Sequence, residues 1–352
     1  MRNFDLDSLV RVNIKNLQPY SSARNEFKGD AAVFLDANEN SYGSPLDEDF
    51  NRYPDPLQWQ LKIGLSKIKG IPPQNIFIGN GSDEVIDLAY RIFCEPVKDN
   101  VIICPPTYGM YKVCGNINNV EVKEVNLTKD FQLDVDGILQ AVNANTKLLF
   151  ICSPNNPTGN NMNRIDIEML LNNFQGIVII DEAYINYSRQ KTFLQELTEY
   201  ENLVVMQTLS KAWGLAALRL GLAFASENII ELFNKVKPPY NINKASQELG
   251  IMALANIEEV NKNIKNTVGE KDALQEQFAQ FNFIQNIYPT DANFILIKTD
   301  DADSLYKFLA NQKIIVRNRS KEVLCENCIR VTVGTHQENE ILIEALKKYR
   351  NV

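Results

Sequence analysis

In the segment TLSKAWGLAALRLG, at 208–221, Lys211 stands directly after a short apolar run, with Ser210 before it and Arg219 eight residues on. An amine in that setting is a nucleophile, and the hydroxyl, amide and guanidinium donors beside it suit a phosphate. Pyridoxal phosphate joins both needs: its aldehyde forms a Schiff base with a lysine while its phosphate takes such donors. A solvated surface lysine looks the same when the segment stands alone. Other residues of suitable type lie at comparable places. In the loop GNGSDE, Gly79 and Gly81 allow a tight turn, and Ser82 can cap a helix starting with Asp83 and Glu84, whose free amides can hold a phosphate. A plain helix cap fits that loop equally, since it lacks both the third glycine of a dinucleotide fingerprint and the Lys-Ser/Thr of a P-loop. Asp181 closes the run IVII, so its carboxylate is buried unless a cation meets it; a protonated pyridine nitrogen or a structural salt bridge supplies one. Tyr184, three residues later, and Asn156 in NNPTG can donate to the ring's phenolic oxygen, although an ordinary Asn-Pro turn explains Asn156 as well. Tyr108 in PPTYG suits stacking on the ring or simple packing.

These residues need a frame. The runs in IFIGNGSDE, VIICPPTYG, LLFICSPNNPTG, IVIIDEAY and VVMQTLSK are of strand length, and each gives way to small or polar residues and a helix-like pattern. Their continuous hydrophobicity predicts strands covered on both faces, in an α/β domain with a mostly parallel sheet between helices. Ligands gather beyond the carboxyl ends of such strands, which is where Ser82, Asp83, Tyr108, Asn156, Asp181, Tyr184, Ser210 and Lys211 fall. After Ala225 a helical stretch, ENIIELFNKV, runs to Pro238 and Pro239, a natural hinge. From Ser246 to about Gln280 the apolar spacing is helical. Next, FNFIQNIYPTDANFILIKT reads as paired strands, followed by a helix around 302–311, strands at IIVRN and CIRVTVG, and a last amphipathic helix from Glu338. The division this suggests is an arm over 1–34, a large domain over 35–240 and a smaller α+β domain over 241–352.

With 352 residues, 45% hydrophobic and 23% charged, the chain is long enough for two domains sharing a deep cleft. A net charge of -8 without a long basic run argues against nucleic acid as a partner. The charged N-terminus MRNFDLDSLV has no apolar signal region, and no stretch of about 18 apolar residues predicts a membrane span, so the expected location is the cytoplasm. Of six cysteines, Cys94, Cys104, Cys114 and Cys152 sit in apolar or strand-like surroundings and read as reduced, buried thiols. Cys325 and Cys328 form one Cys-x-x-Cys, but zinc needs two further ligands and the chain has a single histidine, His336; no metal site is expected.

Taken together, NNPTG, DEAY and SKAWGLAALRLG closely resemble the motifs of fold-type I pyridoxal-phosphate aminotransferases, over almost the whole chain. That resemblance implies the fold-type I transferase architecture, with Lys211 as Schiff-base lysine and general acid/base, Asp181 as pyridinium partner, and Asn156 with Tyr184 as ring-oxygen donors. Gly81, Ser82 and Asp83, with Ser210 and Arg219, would anchor the phosphate, Tyr108 would cover the ring, and Arg330 in CIRVTVG would bind an acidic group of the substrate. NLQPYSSAR (16–24), LDANENSYG (35–43), RYPDP (52–56) and PPTYGMY (105–111) are similar to signatures of the histidinol-phosphate aminotransferase family. This narrower resemblance implies transfer of an amino group between L-histidinol phosphate and 2-oxoglutarate, in histidine biosynthesis. It adds Tyr20 and Arg317 to Arg330 around the substrate phosphate, a pairing that suits a dianion because guanidinium groups form bidentate, charge-assisted bonds. It also implies a homodimer with shared active sites, in which Tyr53 reaches the neighbouring subunit's cofactor phosphate and Tyr240 contacts the imidazole from the partner chain. Ser41 replaces the family's usual proline, Ala217 its usual glycine, and Cys325 is unexpected before the substrate arginine; none removes a group the chemistry needs. Aromatic amino-acid aminotransferases and threonine-phosphate decarboxylase are the rival activities on this scaffold, and a binding module without catalysis is the third reading.

Overall fold

The computed structural model describes residues 4–19, 33–46 and 48–349. Seven strands build the large sheet: β1 (Ile76–Asn80), β2 (Asn100–Ile103), β3 (Glu121–Glu124), β4 (Thr146–Cys152), β5 (Ile177–Asp181), β6 (Leu203–Thr208) and β7 (Leu220–Phe224). Their order is β1-β7-β6-β5-β4-β2-β3, with only β7 antiparallel to its neighbours. Both faces are apolar, as the continuous runs require. Ile76, Ile78, Val178, Ile180 and Val205 belong to one core, while the alternate residues Phe77, Ile177, Ile179, Val204 and Met206 belong to the opposite one.

Two strands escaped the sequence reading. The segment EVKE of β3 is a half-exposed edge strand, whose charges discourage pairing with another chain and also mask its strand character. The other, β7, begins directly after Arg219, at the tail of the SKAWGLAALRLG motif, and runs back under the loop after β1. A Cβ at Gly221 would lie 2.1 Å from the Ser82 amide nitrogen, so this crossing requires glycine.

The smaller sheet, β8 (Ile284–Ile287), β9 (Phe294–Thr299), β10 (Arg317–Asn318) and β11 (Cys328–Thr332), is antiparallel in the order β10-β11-β9-β8. Ile295, Ile297, Ile329 and Val331 pack with the helices Ile257–Phe278, Ala302–Asn311 and His336–Lys348. On its other face Phe294 joins Tyr184, Tyr187 and Ala212, tying the small sheet to loops at the end of the large one. The predicted helical stretch from Ser246 is two helices, Lys244–Leu254 and Ile257–Phe278; the first packs on Trp59–Lys69, where Gly64 gives room to Leu254. The last helix begins at His336 instead of Glu338, because Thr335 and Glu338 form a reciprocal capping box that makes Glu338 its third residue. Residues 4–19 include two short helices, and Leu9, Val10 and Ile14 are buried against the large sheet's core.

Candidate active site

A cavity of about 360 Å³ opens between the carboxyl ends of the large-sheet strands and the small sheet. Ser82 and Asp83 enter it from the end of β1, Asn156 from β4, Asp181 and Tyr184 from β5, and Ser210 and Lys211 from β6, with Tyr108 from the loop after β2. Gly81 stands just behind this lining. It is the N-cap of the helix Ser82–Phe93 with φ 79°, and no side chain caps the helix, so the expected capping by Ser82 does not occur. The Gly81 amide donates to the Arg219 carbonyl at 2.7 Å, and a Cβ there would meet Arg219 Nη2 at 2.5 Å. Arg219 is itself left-handed, with φ 55° and ψ 48°, which turns the chain into β7. Ala217 lies in the 3-10 turn Ala216–Leu218 without a positive φ, so a side chain there is tolerated.

Asp83 is engaged twice: Tyr108 Oη donates to Oδ1 at 2.9 Å, and Arg219 Nη2 lies 3.5 Å from Oδ2. Its carboxylate therefore orients the arginine and the tyrosine, and only its backbone N–H, in the first turn of the helix, has the polarity to meet an anion. Ser210 Oγ is buried without a hydrogen-bond partner. A lone buried hydroxyl beside a guanidinium and a helix N-terminus fits the oxygens of a bound phosphate.

Deeper in the cavity, Asp181 is 4% exposed and accepts from Tyr111 Oη at 2.7 Å and from the Ala183 amide at 3.0 Å. Burial pushes its carboxyl up to about 6, against the opposing pull of those two donors. Among the described residues no cationic side chain forms an ion pair with it. Its surroundings suit a cationic group of a ligand, such as a protonated ring nitrogen. Tyr111 was not singled out as a site residue, although PPTYGMY contains it. It lies one helical turn beyond Tyr108, fully buried and stacked on Phe150 with ring centres 4.9 Å apart. Burial raises the Tyr184 phenol, whose ring stands edge-on to Phe294 at 5.1 Å, and Lys211 Nζ lies 5.7 Å from the Tyr184 ring centre. Burial first, and then the Arg330 charge, hold the Lys211 amine below its usual range, while Asp181 pulls the other way. Asn156 Oδ1 accepts from Arg330 Nη1, which leaves the amide nitrogen as the end that can donate to a ligand.

Arg317 and Arg330 are direct cross-strand partners, and both line the cavity. Arg330 lies 5.1 Å over the Phe294 ring, and its Nε is buried without a partner. Arg319 also lines the cavity and was missed; its signal was the alternation Arg317, Arg319 in VRNRS, which returns both side chains to one face of an extended strand. Tyr53 and Tyr240 do not line this cavity. They stack on each other at 4.5 Å in a separate hollow with Phe50 and Lys244. Tyr20 lies outside the described residues. Cys325 and Cys328 are both buried free thiols, and among the described residues no group of three or more potential ligands could hold a metal.

A sheet end that brings an amine, a buried carboxylate and several guanidinium groups into one polar cavity agrees with the class to which most of the chain matches. The family model for aminotransferase class I and II covers residues 25–346, and the chain belongs to that family. Among named relatives, it is 54% identical over 346 residues to the histidinol-phosphate aminotransferase of Bacteroides thetaiotaomicron, with 98% of this chain and 99% of that one covered. It is 52% identical, with the same coverage, to the histidinol-phosphate aminotransferase of Cytophaga hutchinsonii. Among solved structures it resembles histidinol-phosphate aminotransferase from Sinorhizobium meliloti in complex with pyridoxal-5'-phosphate, at a TM-score of 0.78 and 20% identity over 89% of this chain and 90% of that one. At that identity the likeness speaks for the fold.

Proposed function

We propose that the chain transfers the amino group of L-histidinol phosphate to 2-oxoglutarate, giving imidazole acetol phosphate and L-glutamate, with pyridoxal phosphate as cofactor. The observation that carries this reading is the pairing of Arg317 with Arg330 in the same cavity as Lys211 and Asp181, in a chain about half identical over its full length to relatives named for this activity.

Pyridoxal phosphate, when bound, supplies an electron sink for the carbon that loses its proton. Lys211 would hold the cofactor covalently; once the substrate amine displaces it, the freed Nζ would take the proton from the substrate carbon and return it on the cofactor side. An amine kept below its ordinary pKa is suited to that work at neutral pH. Asp181 would pair with the ring nitrogen and keep it protonated, with Tyr111 holding the carboxylate in place. Asn156 and Tyr184 would donate to the ring oxygen, and Tyr108 would cover the ring. Ser82, Ser210, Arg219 and the amides after Gly81 hold the cofactor phosphate. Arg317 and Arg330, with Tyr20, hold the substrate phosphate.

The same reading makes the protein a cytoplasmic homodimer, divided near residue 240 into large and small domains. Tyr53 then reaches the neighbouring subunit's cofactor phosphate, and Tyr240 its substrate imidazole. The position of the Tyr53–Tyr240 stack outside this chain's own cavity supports that assignment. The test is to mix the cofactor-loaded protein with histidinol phosphate alone and follow the visible band of the bound cofactor. Conversion to the pyridoxamine phosphate band is expected. Release of carbon dioxide without an oxo-acid acceptor would overturn the reading in favour of a decarboxylase, and faster conversion with phenylalanine would favour an aromatic aminotransferase.

A further inference from the structure

Arg317 and Arg330 face each other across β10 and β11, and the Arg319 amide extends the ladder by donating to the Cys328 carbonyl at 2.8 Å. The alternation of an extended strand returns Arg319 to the face that carries Arg317. Like charges placed together on one face of a ladder repel. Among the described residues, the only carboxylate in an ion pair with this trio is Glu322, 3.3 Å from Arg319 Nη1. The Nε groups of Arg319 and Arg330 are both buried without partners. Five cationic side chains line the cavity against two carboxylates. Asp83 already meets Arg219, and Asp181 lies on the other side of the site from the arginines' strand, at the end of β5. Among the described residues, two of the trio's three positive charges thus have no ion-pair partner.

We propose that Arg319 is a third phosphate-binding residue, by which the site selects a dianionic phosphate ester over a carboxylate-bearing substrate of similar size. The inference rests on the function proposed above. A carboxylate brings one charge and fills one guanidinium fork, whereas a phosphate monoester brings nearly two charges and three acceptor oxygens, enough for three guanidinium groups. Repulsion among the three gives the site its preference: the more negative ligand relieves more of it. Burial, and next the neighbouring Arg319 charge, hold Arg330 below its ordinary range, which agrees with such crowding. The competing role for Arg319 is a brace for the turn through Glu322.

The test is calorimetric titration of the full chain loaded with pyridoxamine phosphate, in which an amine substrate binds without an amino group to exchange. Histidinol phosphate and the carboxylate-bearing L-histidine are compared for the unaltered protein, Arg319→Gln, Arg319→Lys and Glu322→Gln. Loss of one charge-assisted bond predicts that Arg319→Gln weakens histidinol phosphate about tenfold to a hundredfold and L-histidine by less than about threefold, with Arg319→Lys in between. Equal weakening of both ligands, no weakening, or an equal effect from Glu322→Gln would overturn the role of Arg319 while the proposed function stands. If the unaltered protein shows no preference for the phosphate ester, the proposed function falls and this inference falls with it.

Discussion

The two halves of the cavity are built on opposite terms. On the large-sheet side the polar groups are already organised by the protein: Tyr111 holds Asp181, and Tyr108 and Arg219 converge on Asp83. On the small-sheet side Arg317, Arg319 and Arg330 crowd together with one carboxylate, Glu322, and two partnerless Nε groups. The proposed function gives the first half the task of holding a cofactor in one orientation; in the second, Glu322 offsets one of three like charges and an incoming anion would offset more. Residues of the first half should therefore act on chemistry and folding together, while those of the second should act on binding at little cost to the fold.

Lys211→Ala probes the prepared half most severely. Removing the proposed nucleophile and proton carrier is expected to lower kcat by at least about a thousandfold, read from single-turnover conversion of the cofactor band. Arg317→Gln probes the crowded half: the KM for histidinol phosphate should rise about tenfold to a hundredfold while the melting temperature holds or increases, because one of two facing like charges is gone. A clear fall in melting temperature for this variant would break the contrast.

Asp181→Asn should move folding and function in opposite directions within the prepared half. The Asp181 carboxyl titrates near about 6 when folded, against 3.8 for an ordinary aspartate. The folded state therefore binds the extra proton between those values, and stability falls as pH rises through that window. The cofactor-free Asn variant should be more stable than the unaltered protein by about 1–3 kcal/mol near pH 8, with the gain shrinking as pH falls below about 6, measured by denaturant titration. Tyr111→Phe is the mildest change. It removes one buried bond to the carboxylate, so it should destabilise the cofactor-loaded protein by about 1–2 kcal/mol and shift the acid limb of the kcat profile upward.

Legibility in the sequence followed locality. Asn156, Asp181, Tyr184, Ser210 and Lys211 each lie within a few residues of an apolar run, and a parallel sheet collects all such strand ends at one edge. Arg319 and Tyr111 were not legible, because their roles depend on which side chains the fold sets opposite them. The strand β3 was hidden by its own charges, and β7 by the motif that overlaps its start. For the last helix, the Thr335–Glu338 spacing was present in the chain, but the reciprocal bonds that moved its start to His336 became visible only in three dimensions.

By itself the sequence determined the layered α/β scaffold, the amine at Lys211 and the carboxylate at Asp181, since hydrophobic runs and the residues that end them are local properties of the chain. Tertiary structure alone decided that Tyr111 braces the carboxylate, that Asp83 serves Tyr108 and Arg219 through its side chain, and that three arginines share one face with one counter-charge. Those relations join residues far apart in the chain, and burial and pairing energies depend on distances that no spacing along the chain specifies.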